Sequence, residues 1–176
     1  MSYPIAPDAV TKAFQTLGND WALLAAGDEA AFNAMTISWG SLGFIWQRPI
    51  VSVLVRPPRY THDFTERCDT FSVSFYHGQR KALSLMGSQS GRDIDKVART
   101  GLTPQFVAGT PTFEEAYLTV IVRKLYRGEL TGAGFLDLGN RCGLGCFDLQ
   151  TVHEVRVEQD AGAGIGLVLN REAVVG

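Results

Sequence analysis

The apolar positions change period along the first third of the chain. Between residues 8 and 18, Val10, Ala13, Phe14 and Leu17 recur at i, i+3, i+4 and i+7, the spacing of one buried helical face, and Gly18 is the expected left-handed residue that ends the helix. From Trp21 to Val55 the texture is that of strands: WALLAAG, FNAMTISWG and IVSVLVR, with Gly40, Gly43 and Pro49 punctuating the connection. Over Thr70 to Tyr76, Phe71, Val73 and Phe75 alternate with Ser72 and Ser74, which predicts a strand with one core face and one polar face. Residues 79–87 predict a helical turn or two, and Ile94, Val97 and Ala98 mark one face of a second short helix over 93–99, before Gly101. Tyr117 to Leu130 reads as a long strand, and His153 to Val157 and Ile165 to Leu169 add two more. Strands, a helical insertion and strands again do not make a βαβ alternation. They predict a mainly β fold, an antiparallel sheet closed into a barrel with a few peripheral helices. With no repeat and no linker, residues 1–176 read as a single domain.

Composition narrows the function classes. A chain of 176 residues can bury about 70% of its unfolded surface, and 45% hydrophobic with 19% charged residues is the make-up of a folded domain. Sixteen basic against 18 acidic residues give a net charge of −2, which offers no broad field for nucleic acid or an anionic membrane, so any anion site is local. Cys68, Cys142 and Cys146 are too few for a disulfide framework, and the last two are spaced one residue too far apart for a zinc or redox knuckle. The start, MSYPIAPDAV, carries neither a basic leader nor an apolar core, and no apolar run reaches the roughly 18 residues of a membrane span; the expected location is the cytoplasm. His62, His77 and His153 are scattered, so no metal site is expected, and no GxSxG frames a serine nucleophile. The glycines at 162, 164 and 166 lack the last spacing of a dinucleotide fingerprint and read as a turn.

Three blocks carry candidate chemistry. In NAMTIS, the polar Asn33, Thr36 and Ser38 interleave with Met35 and Ile37, so that a strand would turn small hydrogen-bonding groups to one face, where a planar heteroaromatic ligand can lie. The alternative is a half-exposed strand with ordinary polar residues outward. In SGRDIDK, Ser90 with Asp93 three residues on is a capping-box arrangement, and the same helix start with a glycine, Arg92 and Lys96 is also a phosphate site; the two readings are compatible. In VRPPRYT, Arg56, Arg59 and Thr61 flank a rigid Pro57–Pro58 turn and either meet a phosphate or sit as a solvated surface turn.

Taken in order, NAMTISWG, RPPRYT, SGRDIDK and the GLTP of Gly101 to Pro104 resemble the successive motifs of the flavin reductase-like family of FMN-binding split barrels, over roughly residues 20–127. The resemblance implies a split β-barrel, antiparallel and Greek-key-like. It implies FMN as cofactor, with Asn33, Met35, Thr36, Ile37 and Ser38 touching the ring and Arg59, Thr61, Ser90, Arg92 and Lys96 near the phosphate. Trp39 and Trp46 would border the ring or a neighbouring subunit, and a homodimer with FMN near its interface is implied as well. The match thins at residues 139–149 and after His153, where EVRVEQD only approximates the family's pattern.

The activity this implies is an NAD(P)H-dependent flavin reductase, in which a hydride passes from NADH or NADPH to flavin N5. The flavin carries the electronic difficulty, so no catalytic side chain is expected. A non-enzymatic FMN carrier or electron-transfer flavoprotein and a split-barrel flavin oxidase are the competing readings.

Overall fold

The computed structural model describes residues 15–45, 48–128, 152–156 and 167–169. Residues 15–18 are helical, the end of the amphipathic stretch expected over 8–18, whose remainder lies outside the described residues. Gly18 does not take the left-handed conformation expected of it: the described glycines with positive φ are Gly27, Gly78, Gly101 and Gly109.

WALLAAG and FNAMTIS fold as β1 (Ala22–Gly27) and β2 (Phe32–Ile37), an antiparallel hairpin. Its turn is set locally. Gly27 has φ 129°, where a β-carbon would collide with the Ala31 carbonyl, and Asp28 Oδ1 accepts the N–H groups of Ala30 and Ala31 at 2.9 and 3.0 Å. The remaining strands are β3 (Gly40–Ile45), β4 (Arg48–Leu54), β5 (Thr70–Phe75), β6 (Pro104–Val107), β7 (Thr110–Phe113), β8 (Leu118–Gly128), β9 (Val152–Arg156) and β10 (Leu167–Leu169). Among the described residues three helices join them: α1 (Tyr60–Arg67), α2 (Arg80–Ser88) and α3 (Lys96–Thr100). Among the described residues no helix is long and apolar enough to cross a membrane.

One sheet runs in the order β2-β1-β5-β8-β9-β4-β3, with β10 beside β8, and its pairs are antiparallel. β2 and β3 stand at opposite ends of that order, yet only Ser38 and Trp39 separate them along the chain. A connection of two residues spans roughly 10 Å at most, so the sheet must curl until its ends meet. The result is a barrel with an unpaired seam between β2 and β3, the split β-barrel that the motifs imply. Leu24, Met35, Val53, Phe71, Val73 and Val122 fill its interior. Outside it, Leu23, Ala25 and Ala34 pack against Leu83 and Met86 of α2 and Phe113 of β7. β1 is thus covered on both faces, which is why its sequence is a continuous apolar run and does not alternate.

Several expectations need correction. GSLGFI is not a connection but a full strand, β3, paired with β4 along its length. The serine face of β5 is polar as expected, and the β6–β7 hairpin buries it. There Ser72 Oγ donates to the Pro111 carbonyl at 2.5 Å, and Ser74, Thr112 and Thr119 form a closed hydroxyl triangle at 2.9 to 3.1 Å. The helix expected over 93–99 starts only at Lys96, and its cap is Asp95, whose Oδ1 accepts the Ala98 N–H at 3.0 Å. Ser90 and Asp93 therefore form no capping box; Ser90 instead closes the turn before it, its hydroxyl accepting the Arg92 N–H at 3.2 Å. On that short helix the buried residue is Lys96, and Ala98 is exposed.

Candidate functional site

Among the described residues β2 is an end strand, hydrogen-bonded to β1 alone, so its outer edge faces the seam of the barrel. Ala34 directs its carbonyl to that edge, where Lys96 Nζ donates to it. Main-chain groups alternate in direction along an antiparallel strand, so Thr36 presents its N–H and C=O to the same edge. The side chains are arranged differently from the expected polar face. Asn33 shares a face with Met35 and Ile37; it is buried, and its Nδ2 donates to Thr61 Oγ1 at 2.7 Å. Thr36 lies on the opposite face, and its hydroxyl donates to the Leu83 carbonyl. What the seam offers a planar ligand is backbone as much as hydroxyls.

Two adjoining cavities follow this edge. The first, about 250 Å³, is bordered by the consecutive residues Met35, Thr36, Ile37, Ser38 and Trp39, with Leu54, Arg56 and Arg59 opposite. The second, about 110 Å³, brings together Asn33, Met35, Arg59, Thr61, Ser90 and Lys96, with Tyr60, Gln89 and Gly91 among its other walls. Met35 and Arg59 border both.

Each cation is positioned by a specific contact. Arg59 precedes the first turn of α1 and donates through Nη1 to the Gly87 carbonyl at 2.7 Å. Lys96, 5% exposed, donates to the carbonyls of Ala34 and Met86, the latter at 3.1 Å, which pins β2 to α2. Burial, and after it the charge of Arg59, pushes the Lys96 amine down to about 8, while burial and then the charge of Arg56 lower the Arg59 guanidinium. Three positive charges therefore converge on the two cavities, and among the described residues no carboxylate lines either of them. Like charges held this closely disfavour the empty site and favour an anion within it.

Arg92, also expected at the phosphate, is not among the residues lining these cavities. Its guanidinium lies 4.7 Å from the Tyr60 ring centre, donates to Asp63 Oδ2 at 2.6 Å and to the Pro58 carbonyl at 3.2 Å. Trp39 is 44% exposed at the mouth of the larger cavity, and Trp46 lies outside the described residues. Gln89 and Leu54, to which no motif points, reach the site through the end of α2 and β4, and Tyr60, within RPPRYT, reaches it on α1. Among the described residues no three His, Cys, Asp or Glu side chains converge as a metal site would need.

The family model described as "Flavin reductase like domain" matches residues 14–126. Comparison with curated proteins finds no match. Among solved structures, the chain is similar to an FMN-binding protein from Thermus thermophilus at 25% identity, over 79% of this chain and 69% of that one, with a TM-score of 0.60. It is similar to flavoredoxin of Desulfovibrio vulgaris at 17% identity, over 86% and 70% of the two chains, with a TM-score of 0.63. The styrene monooxygenase flavin reductase of Pseudomonas putida S12 matches at 17% identity, over 84% and 79%, with a TM-score of 0.58.

Proposed function

The chain belongs to the flavin reductase-like domain family, and from that premise we propose that it is a cytoplasmic NAD(P)H-dependent flavin reductase holding FMN in the seam of its barrel. The observation that carries this reading is the convergence of Arg56, Arg59 and Lys96 on two adjoining cavities whose described lining holds no carboxylate. A phosphate is the group that such a donor set fits: two cations, the hydroxyls of Thr61 and Ser90, and a volume of about 110 Å³. The adjoining cavity fits a planar ring system, because the main chain of Thr36 supplies one donor and one acceptor on its edge and Met35, Ile37 and Leu54 supply apolar surface.

Residue by residue, Met35, Thr36, Ile37 and Ser38 flank the ring, while Arg59, Thr61, Ser90 and Lys96 hold the phosphate. Asn33 orients Thr61 through their 2.7 Å hydrogen bond. FMN, when bound, supplies the hydride acceptor, so the chain needs no nucleophile and no acid–base pair of its own. The tasks left to it are to hold the phosphate, to fix the ring edge and to keep one ring face reachable by NADH or NADPH. The expected result of adding NADH or NADPH to FMN-loaded protein without oxygen is loss of the flavin's visible colour. Oxidised flavin that persists with both donors would leave a carrier, and protein that takes up no FMN at all would overturn the reading.

We also propose a homodimer. Leu42 and Phe44 share one face of β3 and are 50% and 69% exposed on an end strand, an apolar surface at the same seam as the ring cavity. A second copy seated there would cover it and approach Trp39. Light scattering is expected to give twice the chain mass, and Phe44→Asp should shift the protein to a single chain mass; a wild type of single mass at micromolar concentration removes the dimer.

A further inference from the structure

A third cavity, about 480 Å³, lies beyond the small one, bordered by Phe32, Phe64, Asp93, Asp95 and Val97. Asn33, Tyr60, Gly91 and Lys96 line both and so form the partition between them. The partition is tight at one point. A β-carbon added at Gly91 would collide with Asn33 Oδ1 and stand 3.1 Å from Tyr60 Cδ1, so the Gly91 backbone rests directly on both side chains. Neither support is loose: Asn33 is buried and bonded to Thr61, and Tyr60 packs edge-on against Phe64 at 5.1 Å.

The turn that carries Gly91 is itself latched. Asp93 and Ile94 donate their N–H groups to the Ser90 carbonyl at 3.1 and 3.2 Å, and Arg92 clamps the turn onto α1 through Asp63, the Pro58 carbonyl and the Tyr60 ring. The cavity beyond turns two carboxylates, Asp93 and Asp95, toward any second phosphate; of its two cations, Lys96 belongs to the partition and donates to the Ala34 and Met86 carbonyls, and Arg92 faces Asp63.

We infer that the latched Ser90–Asp95 turn is a specificity device: it ends the site at a single phosphate and so selects flavin mononucleotide over flavin adenine dinucleotide. The inference rests on the FMN reading above. FMN stops at its phosphate, whereas the dinucleotide continues from that phosphate into a second phosphate and an adenosine, to which the partition bars the cavity beyond. Arg92 acts here as a positioning residue, through Gly91 and Asn33, and not as a phosphate ligand.

Calorimetric titration of the wild-type protein with FMN and with FAD tests this. FMN should bind at least tenfold more tightly than FAD. Arg92→Ala, which frees the turn from α1, should narrow that ratio by threefold or more through a gain in FAD affinity, and Asn33→Ala, which removes the support under Gly91, should narrow it further. Equal binding of the two flavins to the wild type overturns the inference and leaves FMN binding intact, as does a ratio unchanged in both variants. If neither flavin binds the wild type, the FMN reading itself falls and the inference with it.

Discussion

Arg59→Ala is expected to weaken FMN by roughly tenfold to a hundredfold relative to riboflavin, because a hydrogen bond to a charged group contributes about 1.5 to 3 kcal/mol and about 1.4 kcal/mol is a factor of ten. Comparison of the two ligands is essential. Arg59 also donates to the Gly87 carbonyl and borders the ring cavity, so its loss disturbs the end of α2 whichever flavin binds. Riboflavin lacks only the phosphate, so that disturbance cancels in the ratio and the phosphate contact remains. Titration calorimetry with both ligands measures it, and equal losses for the two would make Arg59 a strut between α1 and α2 and nothing more.

FMN affinity should also fall as the pH rises above about 8, the value to which burial, and then Arg59, brings the Lys96 amine. A neutral amine still has two N–H donors, enough for the Ala34 and Met86 carbonyls, so loss of the third proton breaks neither bond. What it removes is the charge facing the phosphate. A bound phosphate favours the charged amine, so binding above pH 8 must take up one proton, and affinity drops by at most about tenfold per pH unit. Riboflavin should show no such slope, and Lys96→Met should abolish it for FMN. A parallel pH profile for both flavins would remove Lys96 from the phosphate site.

The same group affects the unliganded fold with a definite sign. Its folded value, about 8, lies below the ordinary 10.5, so between these values the unfolded chain holds more protons than the folded one. The Lys96 contribution to stability therefore rises with pH across that window, and its penalty is fully present below pH 8.

Much of this was legible in the residues. The barrel strands announced themselves by β-branched and alternating positions, and the ordered blocks NAMTIS, RPPRYT and SGRDIDK converge along the seam, with Arg92 turned away. What escaped has physical reasons. β3 carries two glycines and exposed apolar residues, and Gly40 lies where a β-carbon would strike the Ser52 carbonyl, so the strand is specified by its partner and not by its own pattern. The β6–β7 hairpin turns at Ala108 and Gly109, with φ 49° and 77°, a pair whose alanine gives no turn signal. Lys96 is marked by its motif as a phosphate residue, but its burial is not: the carbonyls that accept its protons come from positions 62 and 10 residues away, which no local pattern reveals.

The hydroxyl triangle of Ser74, Thr112 and Thr119 bears on how the chain finds a single arrangement. As intramolecular hydrogen bonds, its members add little net stability over the water they replace. Misalignment is where they count, because side chains alternate along a strand and a slip of one residue would turn Thr112 away and leave buried Ser74 and Thr119 short of a partner. Ser72 with Pro111 and Thr70 with Thr110 repeat the test two residues apart along the same strand. The hairpin thus docks by a polar combination that only one register satisfies, whereas the apolar surface beneath α2 would accept near neighbours of the right packing at small cost.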